Sequence, residues 1–418
     1  MIDVKRLREE PEYRAGIERK RVAEGLLDRV LEADDARRAL LTEVEELRAR
    51  QNAASKEIGR APADEREAKI AAASALKDEL AAKEPRLAEA EARLRELVLQ
   101  VPNPADASVP VGGEDDNEVL RVVGDPGDSP PLDHAEFGIG MGFVETDHAV
   151  EMSGSRFAYL MREGALLELA LVQWVIGRVV AEGFTPAVPP VLVREHAMEE
   201  AGFFPTDRAQ VYEVDGGELF LVGTSEVALS ALHRGEIVDA DALPLRYAGF
   251  STCFRREAGT YGKDTRGIFR VHQFDKVEMF SFVHPDGSWD ELEAILALQE
   301  SIVGGLGLPY RVVNCATEEL GAAAAKKYDI EVWLPSEGRY RELTSCSNYL
   351  DYSARRLGTR FRADRGTSPV HTLNGTACAV GRTLVFLFEH YQRPDGSFAV
   401  PEVLIPLCGF DRVEARPS

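Results

Sequence analysis

Cysteine is scarce in this chain, and no two cysteines lie close together. The five stand at Cys253, Cys315, Cys346, Cys378 and Cys408. Without a C-x-x-C pair or histidines at zinc spacing, the sequence offers no zinc site of the ribbon or finger type. A sparse and odd number of cysteines is typical of proteins kept in a reducing compartment. We therefore expect unpaired thiols and no zinc.

The chain also has no long uninterrupted apolar run. Its first residues, MIDVKRLREE, lack the apolar segment of a signal peptide. The most apolar stretch, residues 164–184, carries Glu168 and Arg178 within it. We expect this stretch to form a buried amphipathic helix rather than a membrane span, and the protein to be cytoplasmic with no membrane partner.

Positive charge is in short supply. Lys and Arg number 49 against 71 Asp and Glu, which gives a formal net charge of −22. Neutralising phosphates needs a basic surface, so the composition argues against a DNA-coating protein and leaves RNA contact to a local patch. The segment GIGMGF at 138–143 follows no predicted strand and lacks a Lys-Ser/Thr ending. The sequence therefore predicts neither a P-loop nor a dinucleotide-binding fold.

What is present is the composition of an ordinary soluble globular protein. With 418 residues, 44% of them hydrophobic and 29% charged, the chain has room for a large core and two domains. Residues 101–130 are rich in Pro, Gly and Asp, which predicts a linker. We place an N-terminal helical domain at 1–104, the linker at 105–130 and a second domain at 131–418.

Residues 26–100 carry two heptad seams separated by the segment GRAPADE. Apolar positions alternate steps of four and three along each seam, which is typical of coiled-coil helices. The seams are Leu40, Val44, Leu47, Gln51, Ala54 and Ile58, then Leu76, Leu80, Lys83, Leu87, Ala90, Leu94 and Leu97. They predict two long helices folded back as an antiparallel hairpin, with a kink at Pro85.

Two interpretations of this hairpin are open on these residues. Most coiled coils are dimerisation elements or spacers. Contact with RNA is the alternative, because basic residues cluster toward the tip, although acidic residues are interspersed. The basic residues are Arg48, Arg50, Lys56, Arg60, Arg66 and Lys69.

Two aromatic-rich runs near the middle of the chain flank a long charged loop, FRREAGTYGKDTRG. This pattern predicts two strands joined as a hairpin. Alternate residues of a strand share a face, so Arg255 is expected beside Glu257, and Phe274 beside Lys276 and Glu278. Charges on a sheet face are costly unless they are paired, solvated or functional. The hairpin is therefore either a solvated outer face or a binding site.

Polar groups also lie at the ends of other predicted elements. Glu226 follows Thr224 and Ser225 directly before a helix, where a carboxylate can stabilise the helix dipole or bind a ligand. Glu342 and Ser345 lie in the segment RYRELTSCSN. This carboxylate can be a solvated strand residue or a ligand.

The last motif, HTLNGTACAVGRTLVFLFEHYQ, is expected to turn the chain at Asn374-Gly375-Thr376 and then to form a strongly apolar helix. Arg382 falls in the first turn of this helix. Because a cation is unfavourable at a helix N-terminus, we expect Arg382 to pair with an anion or to contact a ligand.

These segments together resemble the motifs of one enzyme family. FRREAG, DTRG and HQFDKVEMF are similar to motif 2 of the class II aminoacyl-tRNA synthetases, and specifically of the bacterial-type seryl-tRNA synthetases. The helix and Pro-containing strand at 164–193 resemble motif 1, and NGTACAVGR resembles motif 3. The TSE segment and the E-x-x-S segment have counterparts in the family. Thr376 stands where serine is commoner, and Cys378 also departs from the common form.

The resemblance implies an α+β fold, with an antiparallel catalytic sheet flanked by helices at 131–418 and an N-terminal antiparallel coiled-coil arm. It implies a homodimer formed through motif 1 and an arm that grips the long variable arm of a tRNA by shape and backbone. The implied activity is that of a ligase. It activates L-serine with ATP to seryl-adenylate and transfers serine to the 3′ end of serine tRNA, and of selenocysteine tRNA where present.

Residue roles are carried over from the family by matching motifs. Arg255 and Arg382 are implied as catalytic residues, the first bridging the serine carboxylate and the α-phosphate and the second contacting the outer phosphates. Phe274 is implied to stack on adenine, and Glu257 to accept from its exocyclic amine. The implied ATP site also contains Arg256, Val271, Leu343, Thr344, and the Mg²⁺ ligands Glu342 and Ser345.

The implied serine site uses hydroxyl and carboxylate groups. Glu278 and Thr376 are the expected partners of the serine hydroxyl, and Thr224 and Glu226 those of its ammonium group. Ser225, Arg255 and Asn374 complete this site.

Other functions are consistent with the same motifs. A duplicate synthetase used in antibiotic biosynthesis or self-resistance has the same residues, and an amino-acid-adenylating paralog can pass its product to a non-tRNA acceptor. Retention of the whole arm favours tRNA as the acceptor. A catalytically inactive scaffold is disfavoured because Arg255, Glu257, Glu342 and Arg382 are all present.

Overall fold

The N-terminal part of the chain is built from helices. A computed structural model describes residues 1–127, 130–259 and 266–416, and it contains two compact units, Met1–Pro102 and Asn103–Ser418. The helices of the first unit are α1 Val4–Glu9, α2 Pro11–Glu18, α3 Leu26–Ile58 and α4 Ala63–Leu99.

The predicted hairpin is confirmed, since α3 and α4 pack along the heptad seam. Val44, Leu47, Leu80 and Leu87 are buried between the helices. At 33 residues, α3 is about 50 Å long, which makes the hairpin a long arm with a narrow core. Pro85 lies inside α4, and the helix continues on both sides of it.

The second unit contains nine α-helices and all of the strands among the described residues. The helices are α5 His134–Gly140, α6 Asp147–Ser153, α7 Arg162–Ala181, α8 Glu195–Ala201, α9 Glu226–Ser230, α10 Ser288–Gly305, α11 Tyr352–Leu357, α12 Val380–Tyr391 and α13 Ile405–Cys408. The strands are β1 Glu118–Val123, β2 Val144–Glu145, β3 Tyr159–Leu160, β4 Thr185–Ala187, β5 Leu192–Arg194, β6 Tyr212–Val214, β7 Leu219–Leu221, β8 Ile237–Val238, β9 Leu245–Phe254, β10 Gln273–Val283, β11 Tyr310–Asn314, β12 Lys326–Leu334, β13 Arg339–Asn348, β14 Arg360–Arg362, β15 Thr367–Pro369, β16 His371–Ala379, β17 Phe398–Ala399 and β18 Arg412–Val413.

Eight strands form the main sheet in the order β1-β11-β12-β13-β16-β10-β9-β4. All neighbours are antiparallel except β4, which runs parallel to β9 at one edge. The predicted α+β fold with an antiparallel sheet is confirmed. The Pro-containing run is an edge strand, as expected of a segment that cannot donate every ladder hydrogen bond.

Alternation along β10 separates the core from the polar face of the sheet. Val277 and Met279 belong to the main hydrophobic core, which α7, α10 and α12 share with the central strands. Lys276 and Glu278 point to the opposite face and line a cavity. One strand therefore contributes to both the packing of the domain and its polar site.

The predicted linker contains part of the sheet. Residues Glu118–Val123 form β1, which pairs with β11, and the side chain of Asn103 donates to the carbonyl oxygens of Ala323 and Tyr349 at 2.9 and 2.8 Å. All six residues of β1 are exposed, because an edge strand can form by backbone bonds without a buried face. The sequence analysis therefore missed β1, because the residues on either side of it are rich in Pro, Gly and Asp.

Helix α7 has two apolar faces. Leu167, Leu171 and Val175 are fully buried in the core, whereas Leu169 is 65% exposed on the outer side. Length and composition alone would allow α7 to cross a membrane. Its inner face is instead part of the core of the second unit, as the sequence predicted for 164–184.

Candidate active site

A cavity of about 240 Å³ lies on the polar face of the main sheet. Its walls come from β10, β13 and β16, from the start of α12, and from the segments that follow β7 and β9. The lining residues are Phe203, Thr224, Glu226, Arg255, Glu257, Ile268, Phe269, Arg270, Val271, Phe274, Lys276, Glu278, Glu342, Leu343, Thr344, Ser345, Tyr349, Asn374, Thr376, Ala379, Gly381 and Arg382.

Most of the residues proposed from the sequence lie in this wall, but Ser225 and Arg256 do not. Ser225 is fully buried, and its hydroxyl donates to the carbonyl oxygen of Gly249 at 3.2 Å. The backbone amide of Arg256 donates to the carbonyl of Gln210 at 2.8 Å. Ser225 directly follows Thr224, and Arg256 directly follows Arg255. In both pairs only the first residue lines the cavity.

One end of the cavity is acidic. The Nζ atom of Lys276 lies 2.6 Å from Oε2 of Glu278, and both side chains are buried. The hydroxyl of Thr376 donates to the same Oε2 at 3.0 Å. The amide of Asn374 donates to Oε2 of Glu226 at 2.9 Å. With two carboxyl groups and one ammonium group, this end is suited to a cationic or hydroxyl-bearing ligand.

Burial changes the proton affinity of Glu226. Loss of water around the buried carboxyl, reinforced by the negative charge of Glu278, raises its pKa to about 7, although Lys276, Tyr349 and Asn374 act in the opposite direction. The pKa of Tyr349 is also raised, first by burial and then by Glu226. Glu226 therefore titrates near neutral pH.

The segment Asn374-Gly375-Thr376 lies inside β16, and the predicted turn is wrong. Alternation along this strand turns both Asn374 and Thr376 toward the cavity. A Cβ atom on Gly375 would lie 2.5 Å from Cγ2 of Ile295 in α10. Glycine is therefore required by the close approach of a helix and not by a turn, a tertiary contact that no local pattern indicates.

The other end of the cavity is rich in guanidinium groups. Arg255, Arg270 and Arg382 all line it. Arg270 donates to Oε2 of Glu257 at 2.6 Å, and Nη1 of Arg382 lies 3.8 Å from Oε2 of Glu342. Burial and the charges of Arg255 and Arg270 lower the pKa of Arg382 against the effect of Glu342. Three cations on one wall are suited to a polyphosphate.

Aromatic rings support two of these cations. The guanidinium carbon of Arg255 lies 5.3 Å from the centre of the Phe274 ring. That of Arg382 lies 5.2 Å from the centre of the Phe269 ring, which Arg341 also approaches at 4.2 Å. These are cation–π distances, and they hold the guanidinium groups against apolar surfaces at the edge of the cavity.

Arg255 and Glu257 reach the cavity by a different route from the predicted one. Strand β9 ends at Phe254, so strand alternation does not apply to them. Arg255 is fixed by a backbone bond from its amide to the carbonyl of His272 at 2.9 Å. Glu257 has a φ of +50°, which turns its side chain inward. Residues 260–265, which include part of the DTRG motif, lie outside the described residues.

Glu342 and Ser345 are three residues apart on β13, and both line the cavity. Desolvation acts to raise the pKa of Glu342, and the charges of Arg382, Lys327, Arg255 and Arg270 outweigh it and lower the pKa. Within the described ranges, no three His, Cys, Asp or Glu residues are grouped to hold a metal ion. One carboxylate and one hydroxyl suit Mg²⁺, which takes most of its ligands from phosphates and water.

Sequence reasoning missed several lining residues. Arg270 and Phe269 precede β10, so no strand periodicity connects them with Phe274. Tyr349 follows β13, and Phe203 follows α8, and neither belongs to a polar motif. A basic residue in the segment GIFRVHQF is the one signal that could have indicated Arg270 as a ligand-binding candidate.

The comparisons with known proteins cover the whole chain. Residues 211–391 match the family model of the tRNA synthetase class II core domain (G, H, P, S and T), and residues 1–105 match that of the seryl-tRNA synthetase N-terminal domain. A serine--tRNA ligase of Acidothermus cellulolyticus is 47% identical, with 98% of this chain and 99% of the relative covered. One from Thermobifida fusca is 48% identical, with 98% of each chain covered.

Solved structures give the same result. Seryl-tRNA synthetase from Pyrococcus horikoshii complexed with ATP superposes with a TM-score of 0.92 at 36% identity over the full length of both chains. Cytoplasmic serine-tRNA ligase from Naegleria fowleri in complex with AMP superposes with a TM-score of 0.89 at 31% identity, over 100% of this chain and 99% of that one.

The antiparallel sheet, the cavity on its polar face and the core-domain match define a class II aminoacyl-tRNA synthetase. Both halves of the chain are matched, and the relatives are similar from end to end. Within that class, the chain belongs to the seryl-tRNA synthetase family, as the sequence motifs predicted.

Proposed function

We propose that the chain activates L-serine with ATP to seryl-adenylate and then transfers serine to the 3′ end of serine tRNA, and of selenocysteine tRNA where present. One observation carries the proposal. A single cavity joins an acidic, hydroxyl-lined end at Glu278 and Thr376 to an arginine-lined end at Arg255 and Arg382. These are the chemistries that an amino acid and a nucleotide triphosphate need side by side.

Serine binds at the acidic end. Glu226 and Thr224 take its ammonium group, and Glu278 with Thr376 takes its hydroxyl. The bond from Thr376 to Glu278 already fixes the acceptor in place. An amino acid without the hydroxyl displaces water from Glu278 and Thr376 without replacing its hydrogen bonds, and on this basis selection against it reaches about 10⁴-fold.

ATP binds at the arginine-lined end. Phe274 stacks on the adenine, and Glu257 accepts from its exocyclic amine. Arg255 lies at the junction and bridges the serine carboxylate and the α-phosphate. Arg270 and Arg382 neutralise the outer phosphates.

The reaction is attack by the serine carboxylate on the α-phosphate, with pyrophosphate leaving. The protein contributes alignment and charge stabilisation, and no covalent intermediate on a side chain is needed. Glu342 and Ser345 are the residues that would hold Mg²⁺, and a bound Mg²⁺ would supply positive charge for the leaving pyrophosphate. The lowered pKa of Glu342 keeps this ligand ionised.

The arm of the first unit binds the long variable arm of the tRNA. Arg48 is paired with Glu84 at 2.8 Å, and Lys69 lies 3.6 Å from Glu65. Such exposed pairs are weak and exchange readily for phosphate contacts. Arg60 and other basic residues of the tip are exposed. The acidic remainder of the chain restricts RNA to this arm and the active site.

The enzyme is a cytoplasmic homodimer. The outer face of α7 exposes Leu166, Leu169 and Val180, and Val188 beyond β4 is 84% exposed. Apolar surface of this extent on a helix of the catalytic unit favours a protein partner. A second copy that covers α7 and the edge at β4 removes it from water.

ATP–pyrophosphate exchange against a panel of amino acids, followed by charging of purified tRNA, tests the function. Serine-dependent exchange together with charging of serine tRNA is expected. Exchange without charging would identify a non-tRNA acceptor and contradict the role of the arm. No exchange with any amino acid would contradict the enzyme assignment.

A further inference from the structure

Gln299 is a fully buried glutamine of α10 that bonds to two backbone carbonyl groups at once. Its Nε2 donates to the carbonyl oxygen of Ser345 at 2.7 Å and to that of Thr376 at 2.8 Å. Ser345 lies on β13 and Thr376 on β16, and both line the cavity. One side chain thus joins the strand of the proposed magnesium site to the strand of the proposed serine site.

The two hydrogen bonds of Gln299, called the amide bridge below, lie at the point where the pairing of β13 with β16 ends. The ladder between β13 and β16 extends only as far as the pair Cys346 and Gly375. Ser345 and Thr376 are the next residues on the two strands, and they are not partners in the ladder. The amide of Gln299 takes the place of direct pairing at this point. The spacing of the two strands beside the cavity therefore depends on this side chain.

Packing alone gives little reason for a glutamine here. Its neighbours on α10, Ile295, Leu296 and Ile302, belong to the main hydrophobic core. The Oε1 atom of Gln299 is buried and has no hydrogen-bond partner in the part of the chain that the structure describes. An apolar side chain does not carry that cost. The reason for a glutamine at this position is therefore the pair of hydrogen bonds from its amide to the carbonyl oxygens of Ser345 and Thr376.

We propose that Gln299 is a positioning residue that sets the separation of Ser345 and Thr376, and through them the alignment of serine with the α-phosphate of ATP. The inference rests on the proposed function. Gln299 acts through the two strands and not on the substrates. Each substrate keeps its own contacts when the bridge is lost, so binding changes little. The reaction between the substrates slows, because a displacement on the order of 1 Å costs about 100-fold.

The test replaces Gln299 with residues of similar volume that cannot donate. In Gln299→Leu and Gln299→Met, the kcat of serine-dependent ATP–pyrophosphate exchange is expected to fall about 30- to 100-fold, with each KM changing less than about threefold. Gln299→Glu keeps the shape but presents a carboxylate to two carbonyl groups. It is expected to lose at least as much activity.

Ile295→Val is the matched control. It removes one methyl group, Cδ1, from a core residue of the same helix, and it keeps both the Cγ2 atom that faces Gly375 and the hydrogen bonds of Gln299. We expect a lower Tm with unchanged kcat per folded enzyme. Titration of the active sites by adenylate formation corrects every variant for its folded fraction.

Unchanged kcat in Gln299→Leu, or a loss confined to one KM, overturns the inference. If Gln299→Leu does not fold, the comparison of Gln299→Met and Gln299→Glu with Ile295→Val gives the same decision. Failure of the proposed function is distinguishable, because in that case the unaltered enzyme shows no serine-dependent exchange.

Discussion

Lys276 and Glu278 form a buried ion pair, with Nζ and Oε2 2.6 Å apart. They lie two residues apart on β10 and face the cavity together. Glu278 also accepts from Thr376. The ammonium group of Lys276 thus offsets the cost of burying this carboxylate, and in the proposed function the same carboxylate binds the serine hydroxyl, which would couple the stability of the site to its specificity.

Glu278→Gln is expected to lower kcat/KM for serine about 10- to 150-fold, the loss of one hydrogen bond to a charged group. It leaves Lys276 buried without its partner, so unfolding free energy should fall by about 3–5 kcal/mol. The double variant Lys276→Met/Glu278→Gln should regain most of the stability and none of the serine activation. Denaturant unfolding and exchange kinetics measure the two effects. Recovery of activity in the double variant would contradict the role of Glu278.

The raised pKa of Glu226, about 7, predicts a pH dependence for serine binding. The ammonium group of serine needs the ionised carboxylate, so kcat/KM for serine should rise with pH through about 7. Glu226→Gln should lower kcat/KM and remove this limb of the profile. An unchanged limb in Glu226→Gln would assign the titration to another group.

The same shift has the opposite effect on stability. The folded protein holds the Glu226 proton up to about pH 7, whereas the unfolded chain releases it near 4.5. The contribution of this group to the unfolding free energy is therefore fully present below about pH 4.5 and is lost as the pH rises to about 7. The unfolding free energy of the unaltered enzyme minus that of Glu226→Gln should therefore be constant below about pH 4.5, fall between about pH 4.5 and 7, and level off above about pH 7.

Phe269→Leu is expected to raise KM for ATP about 2- to 30-fold by removing the ring that Arg382 contacts. KM for serine should not change, because Phe269 lies at the arginine-lined end of the cavity, where we propose that ATP binds. Phe398→Leu is the control. Phe398 is also buried in the same core but is not among the described residues of the cavity wall. Equal increases in both KM values would show a general loss of packing instead.

Gly375→Ala should destabilise the fold by about 1–3 kcal/mol, because the new Cβ meets Cγ2 of Ile295 at 2.5 Å. The nearest atom belongs to a side chain that can be shortened. Ile295→Ala removes Cγ2, so the destabilisation caused by Gly375→Ala should be smaller in the Ile295→Ala background than in the unaltered enzyme. Thermal unfolding of the set measures the coupling. Strict additivity of the two changes would place the strain elsewhere.

Local patterns were enough to predict the elements that depend on local sequence. The heptads predicted α3 and α4 because each seam repeats within one helix, and the apolar run after Gly381 placed Arg382 in the first turn of α12. Strand alternation predicted that Phe274, Lys276 and Glu278 share one face of β10, and all three line the cavity.

Tertiary contacts account for what the sequence did not reveal. Gly375 was assigned to a turn because Asn-Gly-Thr is a local turn pattern. The actual reason for glycine, the close approach of Ile295, exists only in the folded domain. Gln299 lies more than forty residues from Ser345 and more than seventy from Thr376. Phe269 and Arg382, which are in contact, lie more than one hundred residues apart. β1 was missed although four of its six residues are Val or Leu, because the Pro, Gly and Asp residues on either side of it predicted a linker.

The place of β16 in the sheet has a consequence for synthesis on the ribosome. This strand lies between β13 and β10 but comes late in the chain, at His371–Ala379. Until it emerges, β10 and β13 each present an unpaired edge inside what will become the centre of the sheet. The arm folds from contiguous residues and can form early. The cavity is incomplete until the last fifth of the catalytic domain is made, so substrates cannot stabilise the nascent domain by binding before then. We therefore expect this domain, rather than the arm, to be the part of the nascent chain that is exposed to aggregation and served by chaperones.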